Sequence, residues 1–340
     1  MKKTILPFGA VFAGATLSIA LLIASCSKND KTDDQQDTDE GDRIASTEFT
    51  VATANGFAAG TTGGAGGSSV TVSTQAAFKS AAESSSSMVI TVSGNINLGS
   101  GQINVKSNKT IIGANSSAGV IGCLRLSGVS NVIIQNLNIT NPSGVGTGDG
   151  VEVSGSTRVF IHKCTFTDCA DGELDIVRAA DNVTVSWCRF RFAGQTSHKF
   201  VNLIGNSDGA TGDRGKLRVT MHHNWYDAGC VERMPRVRFG QVHVYNNYYA
   251  ASGSNYCIGV GNESQIRVEN CYFQNQSRAW ANYSSGSAQG RINWNSGNVF
   301  SGTSIPTWAP NSSVFSPPYS YSLNTGSSVP GSVSGGAGNR

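Results

Sequence analysis

The sequence predicts an all-β chain wound as a right-handed parallel β-helix, a solenoid of stacked coils with a short N-terminal capping helix. Three observations predict it. One nine-residue motif recurs six times, its spacing is too long for hairpins, and the composition is poor in charge (14%) with 41 glycines among 340 residues. A core that grows by stacking accommodates some 300 residues without a single swollen interior.

The motif runs Asn131–Ile139, Arg158–Phe166, Asn182–Phe190, Arg218–Tyr226, Gln241–Tyr249 and Gln265–Phe273. Its second and fourth positions are always apolar, and its ninth is aromatic in all but the first. Such alternation sends side chains to opposite faces of a strand. Successive starts lie 27, 24, 36, 23 and 24 residues apart, as coils with one long connection require. An antiparallel sandwich would turn every 8–12 residues. The seventh position reads Leu137, Cys164, Cys188, Asn224, Asn247, Cys271. Equivalent residues of stacked coils sit about 4.8 Å apart, so Asn224 and Asn247 read as an asparagine ladder. Cys164 and Cys188 read as a thiol stack or a disulfide, with buried thiols favoured.

Thr74–Glu83 is the one convincing helix, with Thr74 as its N-cap, placed to cover the open first edge of the solenoid. From Pro306 onward no repeat is present, and the chain is expected to wrap the outside. At the other end, Lys2 and Lys3 precede an apolar run ending Leu22-Ile23-Ala24-Ser25-Cys26. Residues 1–25 therefore read as a secretory signal. Small residues before a cysteine resemble a lipoprotein signal, making Cys26 the expected lipidation site, at the outer membrane. Residues 26–43 hold seven acidic and three basic side chains and read as a solvated tether. The formal charge of +3 falls to +1 without residues 1–25, which leaves +5 on residues 44–340. A modestly basic body suits a polyanion, and acidic polysaccharide and DNA both qualify on charge.

Chemistry is expected where the repeat breaks. Asp149 lies between two glycines, and Asp171-Gly-Glu-Leu-Asp175 follows one coil later with Glu173 expected between its acids. Clustered hard oxygen donors suit Ca²⁺, although acidic turn residues are more often simply solvated. Glu232-Arg233-Met-Pro-Arg236-Val-Arg238 places three arginines in six residues. Arg236 and Arg238 share a strand face, and Arg233, ahead of Pro235, lies at a bend. Guanidinium forks fit carboxylates bidentately; an ion-pair cluster with Glu232 is the plainer alternative. His222 and His223, adjacent on a strand, point opposite ways and read as structural.

In this order, the Asp171–Asp175 motif, Val183–Trp187, Leu203–Gly205, Val219–Asn224 and Arg233–Asn247 resemble the pectate lyases of polysaccharide lyase family 1. The resemblance covers most of residues 56–300. It implies Ca²⁺ held by Asp149, Asp171 and Asp175, Arg233 as catalytic base, and Arg238 binding substrate beside Arg236. The family's lysine before Leu-x-Gly would be Lys199, but Lys199 lies six residues before Gly205 where five are usual, and Phe200 takes the expected place. The family's Trp-Ile-Asp-His-Cys is here Phe160-Ile-His162-Lys163-Cys164, a change expected to alter hydrogen bonding beside the calcium site. The resemblance further implies polygalacturonate as partner, no nucleic acid, membrane contact only through the lipid, and a monomer. The other readings weighed are a pectin lyase acting on methyl esters without Ca²⁺, which the acidic trio opposes, a hydrolase on the same solenoid, which lacks an Asp-Asp turn, and a non-catalytic polysaccharide-binding surface protein.

Overall fold

The computed structural model describes residues 49–194, 197–308 and 311–340. The expected signal segment, Cys26 and the tether lie outside the described residues.

Apolar alternation does what the motif requires. Among the described residues, strands gather into three parallel sheets of ten, eight and nine strands, each joined in steps of one coil. The result is a right-handed parallel β-solenoid of about ten turns. Register is constant along the ten-stranded sheet: Val132, Val159, Val183, Val219, Val242 and Ile266 pair in succession, and all six are fully buried. The motif's ninth position forms a stack through Phe166, Phe190, Tyr226, Tyr249, Phe273 and Phe300, with ring centroids 4.5–5.4 Å apart. Its sixth position turns each coil into the nine-stranded sheet with φ between 49° and 54° in Asn136, Lys163, Trp187, His223, Asn246 and Asn270. Asparagine tolerates that left-handed conformation best, which accounts for three of the six.

The asparagine ladder is present and longer than expected. Asn247 Oδ1 accepts from the Asn224 N–H at 2.7 Å, and its Nδ2 donates to the Met221 carbonyl at 2.8 Å. Asn224 repeats this on Cys188 and Val185, and Asn298 on Cys271 and Val268. Asn247→Ala orphans a buried N–H and a buried C=O. It is expected to lower the unfolding free energy by about 2–4 kcal/mol, measured by denaturant titration. The seven described cysteines are all free and buried, so Cys164 and Cys188 form a thiol stack.

Helix α1 (Gln75–Glu83) starts where Thr74 Oγ1 accepts from the Ala77 N–H, and it buries Phe78, Ala81 and Ala82 in the main core. The C-terminal segment does run over the outside: Tyr319 Oη lies 2.6 Å from Thr220 Oγ1, and Tyr321 Oη donates to Glu269. A second helix, α2 (Val329–Gly336), was not expected. Pro330 and three glycines make it a poor helix in isolation. Packing of Val329, Val333 and Ala337 with Tyr248 supplies what propensity lacks.

Candidate active site

The eight-stranded sheet carries the site. Its outward row steps from Glu152 to Asp175, Leu203, Arg236 and Gly259 on adjacent strands. Acids therefore occupy one stretch of the row and arginines the stretch two strands on, roughly 10 Å away at strand spacing.

Asp149, Glu152, Asp171 and Asp175 line one open pocket of about 300 Å³. Glycine makes their approach possible. A Cβ on Gly172 would stand 2.5 Å from Asp175 Oδ1 and 2.8 Å from Asp149 Oδ1, so the bare backbone is a cradle between two carboxylates. Asp149 Oδ1 accepts the Gly172 N–H at 2.9 Å, and Asp175 Oδ1 that of Leu203 at 3.1 Å. Burial, then Asp171 and Glu152, push Asp149 up to about 7, against hydrogen bonds from Thr147 and Gly172. Burial, then Asp149, push Asp175 well above the usual carboxylate range, and Arg233 offsets only part of this. Two buried carboxylates set either side of the bare Gly172 backbone have the donor chemistry of a hard-cation site. Among the described residues, no three His, Cys, Asp or Glu side chains close into a full ligand set. Asp171 turns outward, with Oδ1 3.0 Å from His198 Nε2. A hard cation here would take further oxygens from water and ligand, which the open pocket permits.

Two expectations about these acids need correction. Glu173 does not lie between Asp171 and Asp175. It is fully buried on the inner side, 3.8 Å from Cys169 Sγ, because the chain does not alternate at this turn and Glu173 and Leu174 both face inward. Burial, then Asp168, hold its carboxyl well above the usual range. His162 is not beside the acidic pocket either. It ends a strand of the ten-stranded sheet, 2.9 Å from Ser186 Oγ, and burial and Lys163 push it down to about 4. Glu152 is a fourth acid that the motif did not flag, and Arg125 and Arg178 already pair with it at 2.9 and 2.6 Å.

The arginines converge as the spacing implied. Arg233 sits at φ 61° on the turn before the strand, a conformation that residues other than glycine rarely adopt. Main-chain bonds fix it there: the Asn202 N–H donates to its carbonyl at 2.7 Å, and the Met234 N–H to Cys257 at 2.7 Å. Arg238 is nearly buried, bonded to the Asp208 carboxylate and at 2.9 Å to the Gly205 carbonyl. Burial, then Arg238 and Arg233, lower the pKa of Arg236.

Among the described residues, no ion pair or cation–π contact joins Lys199 to this group. Phe200 instead bridges Gly172 and Glu232, and its ring centroid lies 4.3 Å from the Arg233 guanidinium carbon. Four residue steps separate Glu232 from Arg236 where three separate Phe200 from Leu203, and this one-residue bulge defeats spacing arguments. His222 and His223 do not point opposite ways: the strand ends at His222 and His223 turns at φ 54°, which brings their Nδ1 atoms 2.9 Å apart, with the rings stacked on Tyr245 and Trp187.

A family model described as pectate lyase matches residues 38–340. A pectate trisaccharide-lyase from Thermotoga maritima is 36% identical over 201 residues, covering 56% of this chain and 53% of that protein. Pectate lyase D from Dickeya chrysanthemi is 35% identical over 286 residues, covering 68% and 72%. The chain thus spans about half the length of the first and under three quarters of the second. A crystal structure of a pectate lyase from Bacillus sp. N165 in complex with trigalacturonate superposes with a TM-score of 0.73 at 29% identity, covering 84% of this chain and 98% of that one.

Proposed function

The chain belongs to the pectate lyase family, and from that premise we propose that it cleaves α-1,4-linked polygalacturonate by Ca²⁺-dependent β-elimination, leaving 4,5-unsaturated oligogalacturonides. One observation carries the reading: a cation-hungry acid pair and a group of three arginines share one outward face two strands apart. The C5 proton of a galacturonate lies α to a carboxylate, so it leaves only if the charge on that carboxylate is met. Asp149, Asp175 and, with a small rotation, Asp171 would hold the calcium ion, whose chemistry would be to draw charge from the substrate carboxylate. Arg238 adds fixed positive charge beside the developing enolate, and Arg233 takes the C5 proton. The C4–O bond then breaks with its electron pair on the departing glycosidic oxygen, which is protonated by water. Only the neutral form of Arg233 can accept the C5 proton, and near neutrality a guanidinium is almost wholly protonated, so the rate is expected to climb toward alkaline pH.

Secretion through residues 1–25, lipid attachment at Cys26 with exposure at the outer membrane, and action as a monomer complete the proposal. Helix α1, packed on the first coils, we read as the cover of their open edge. The test is the rate on polygalacturonate with Ca²⁺, then chelator, then Ca²⁺ again. Loss and recovery are expected; a rate indifferent to chelation sinks the calcium role.

A further inference from the structure

Two of the three arginines rest on aromatic rings rather than on carboxylates. The guanidinium carbons of Arg233 and Arg236 each lie 4.3 Å from a ring centroid, Phe200 for the first and Tyr283 for the second. Arg238 differs, since its donors are engaged by Asp208 and Gly205. A ring face attracts the planar cation without using its N–H edge. Among the described residues, Nε of both Arg233 and Arg236 is buried without a hydrogen-bond partner, so the terminal Nη groups are what each seated fork offers to a ligand.

The Arg236 seat is separate from the acidic pocket. Arg236 pairs with Gly259 on the next strand, and Gly261 pairs with Tyr283 on the strand after that. A Cβ on Gly259 would lie 3.0 Å from Arg236 Cγ and 3.1 Å from the Tyr256 ring, and one on Gly261 3.1 Å from Arg238 Cγ. Both outward positions of the strand Ile258–Gly261 are thus bare, and the arginine stems lie across that floor. Arg236 reaches Tyr283, whose ring packs 4.9 Å from Tyr256. The neighbouring Arg238 and Arg233 repel Arg236, and among the described residues no carboxylate pairs with it, so its complement is an external anion.

We propose that Arg236, seated on Tyr283 and floored by Gly259 and Gly261, forms a further subsite for a carboxylate of an acidic polysaccharide, one that engages only chains reaching beyond the acidic pocket. The inference deepens the lyase reading and rests on it. Arg236 starts two strands from Asp175 and its guanidinium reaches toward Tyr283, four strands from it, a span of roughly 10 to 19 Å. A short oligomer bound at the acids therefore leaves the subsite empty. Tyr283 is a positioning residue, acting through Arg236.

The experiment measures KM and kcat on trigalacturonate and hexagalacturonate for wild type, Tyr283→Ala and Tyr283→Phe. Tyr283→Ala is expected to raise KM for the hexamer roughly 3- to 30-fold with kcat and the trimer unchanged, and Tyr283→Phe to behave as wild type. An unchanged KM for the hexamer, or an equal rise for both lengths, overturns the subsite. Gel retardation by immobilised polygalacturonate separates the two readings. If wild type forms no unsaturated product yet is retarded, and Tyr283→Ala abolishes retardation, the lyase reading fails and the subsite stands. If product forms and Tyr283→Ala changes neither retardation nor KM, the subsite alone falls.

Discussion

Arg233→Ala is expected to lower kcat on polygalacturonate by roughly 10²- to 10⁴-fold, the range a positioned proton acceptor supplies, while KM moves only a few-fold. The separation follows from how the turn is built. Its backbone is tied through the Asn202 and Met234 N–H groups, so truncating the side chain leaves the loop in place. Arg236 and Arg238 remain to hold the polymer. Arg233→Lys keeps a cation but loses the planar fork seated on Phe200, and is expected to recover little of the rate and to shift its pH profile. Thermal unfolding of both variants should match wild type. A large KM effect with kcat preserved would instead make Arg233 a binding residue.

Asp149→Asn is expected to act in opposite directions with and without calcium. The carboxyl of Asp149 stands at about 7 against an ordinary 3.8, so between those values the folded chain holds a proton that the unfolded chain has released. Stability therefore falls as pH rises through that window and levels off above it. Holding the carboxyl at about 7 rather than 3.8 is worth up to about 4 kcal/mol for this group. Asparagine keeps the oxygen that accepts the Gly172 N–H at 2.9 Å but cannot ionise. In chelator, the variant is expected to be the more stable at pH 8 and to lack this part of the pH slope. With calcium, wild type should gain stability through ligand linkage and the variant far less, with activity reduced accordingly. Denaturant titrations at pH 4 to 8 check it. Equal slopes in both proteins would mean that the Asp149 carboxyl is not strained by burial.

The solenoid was legible because the motif repeats a physical demand at each coil: apolar second and fourth positions for the core, an aromatic ninth for the stack, asparagine for ladder and turn. The shared face of Arg236 and Arg238 followed from alternation, whereas Asp175 stood out as one of a pair of acids flanking a glycine. What escaped lies where alternation fails. Glu173 and Leu174 both face inward, so counting by two misplaces the glutamate. The extra residue between Glu232 and Arg236 sets Phe200, and not Lys199, beneath Arg233. Tyr283 was invisible for another reason: it meets Arg236 across an intervening strand whose outward positions are glycine, and nothing local in the sequence joins them. The pairing of Arg125 and Arg178 with Glu152 is likewise a contact between coils.

The most direct measurement is the chemical nature of the new chain end. Wild type incubated with polygalacturonate and Ca²⁺ at alkaline pH, in water enriched in heavy oxygen, should release oligosaccharides that carry a 4,5 double bond, absorb in the ultraviolet and hold no solvent oxygen apart from the exchangeable anomeric hydroxyl. Saturated products that carry the label would show hydrolysis, and would contradict the account at its centre.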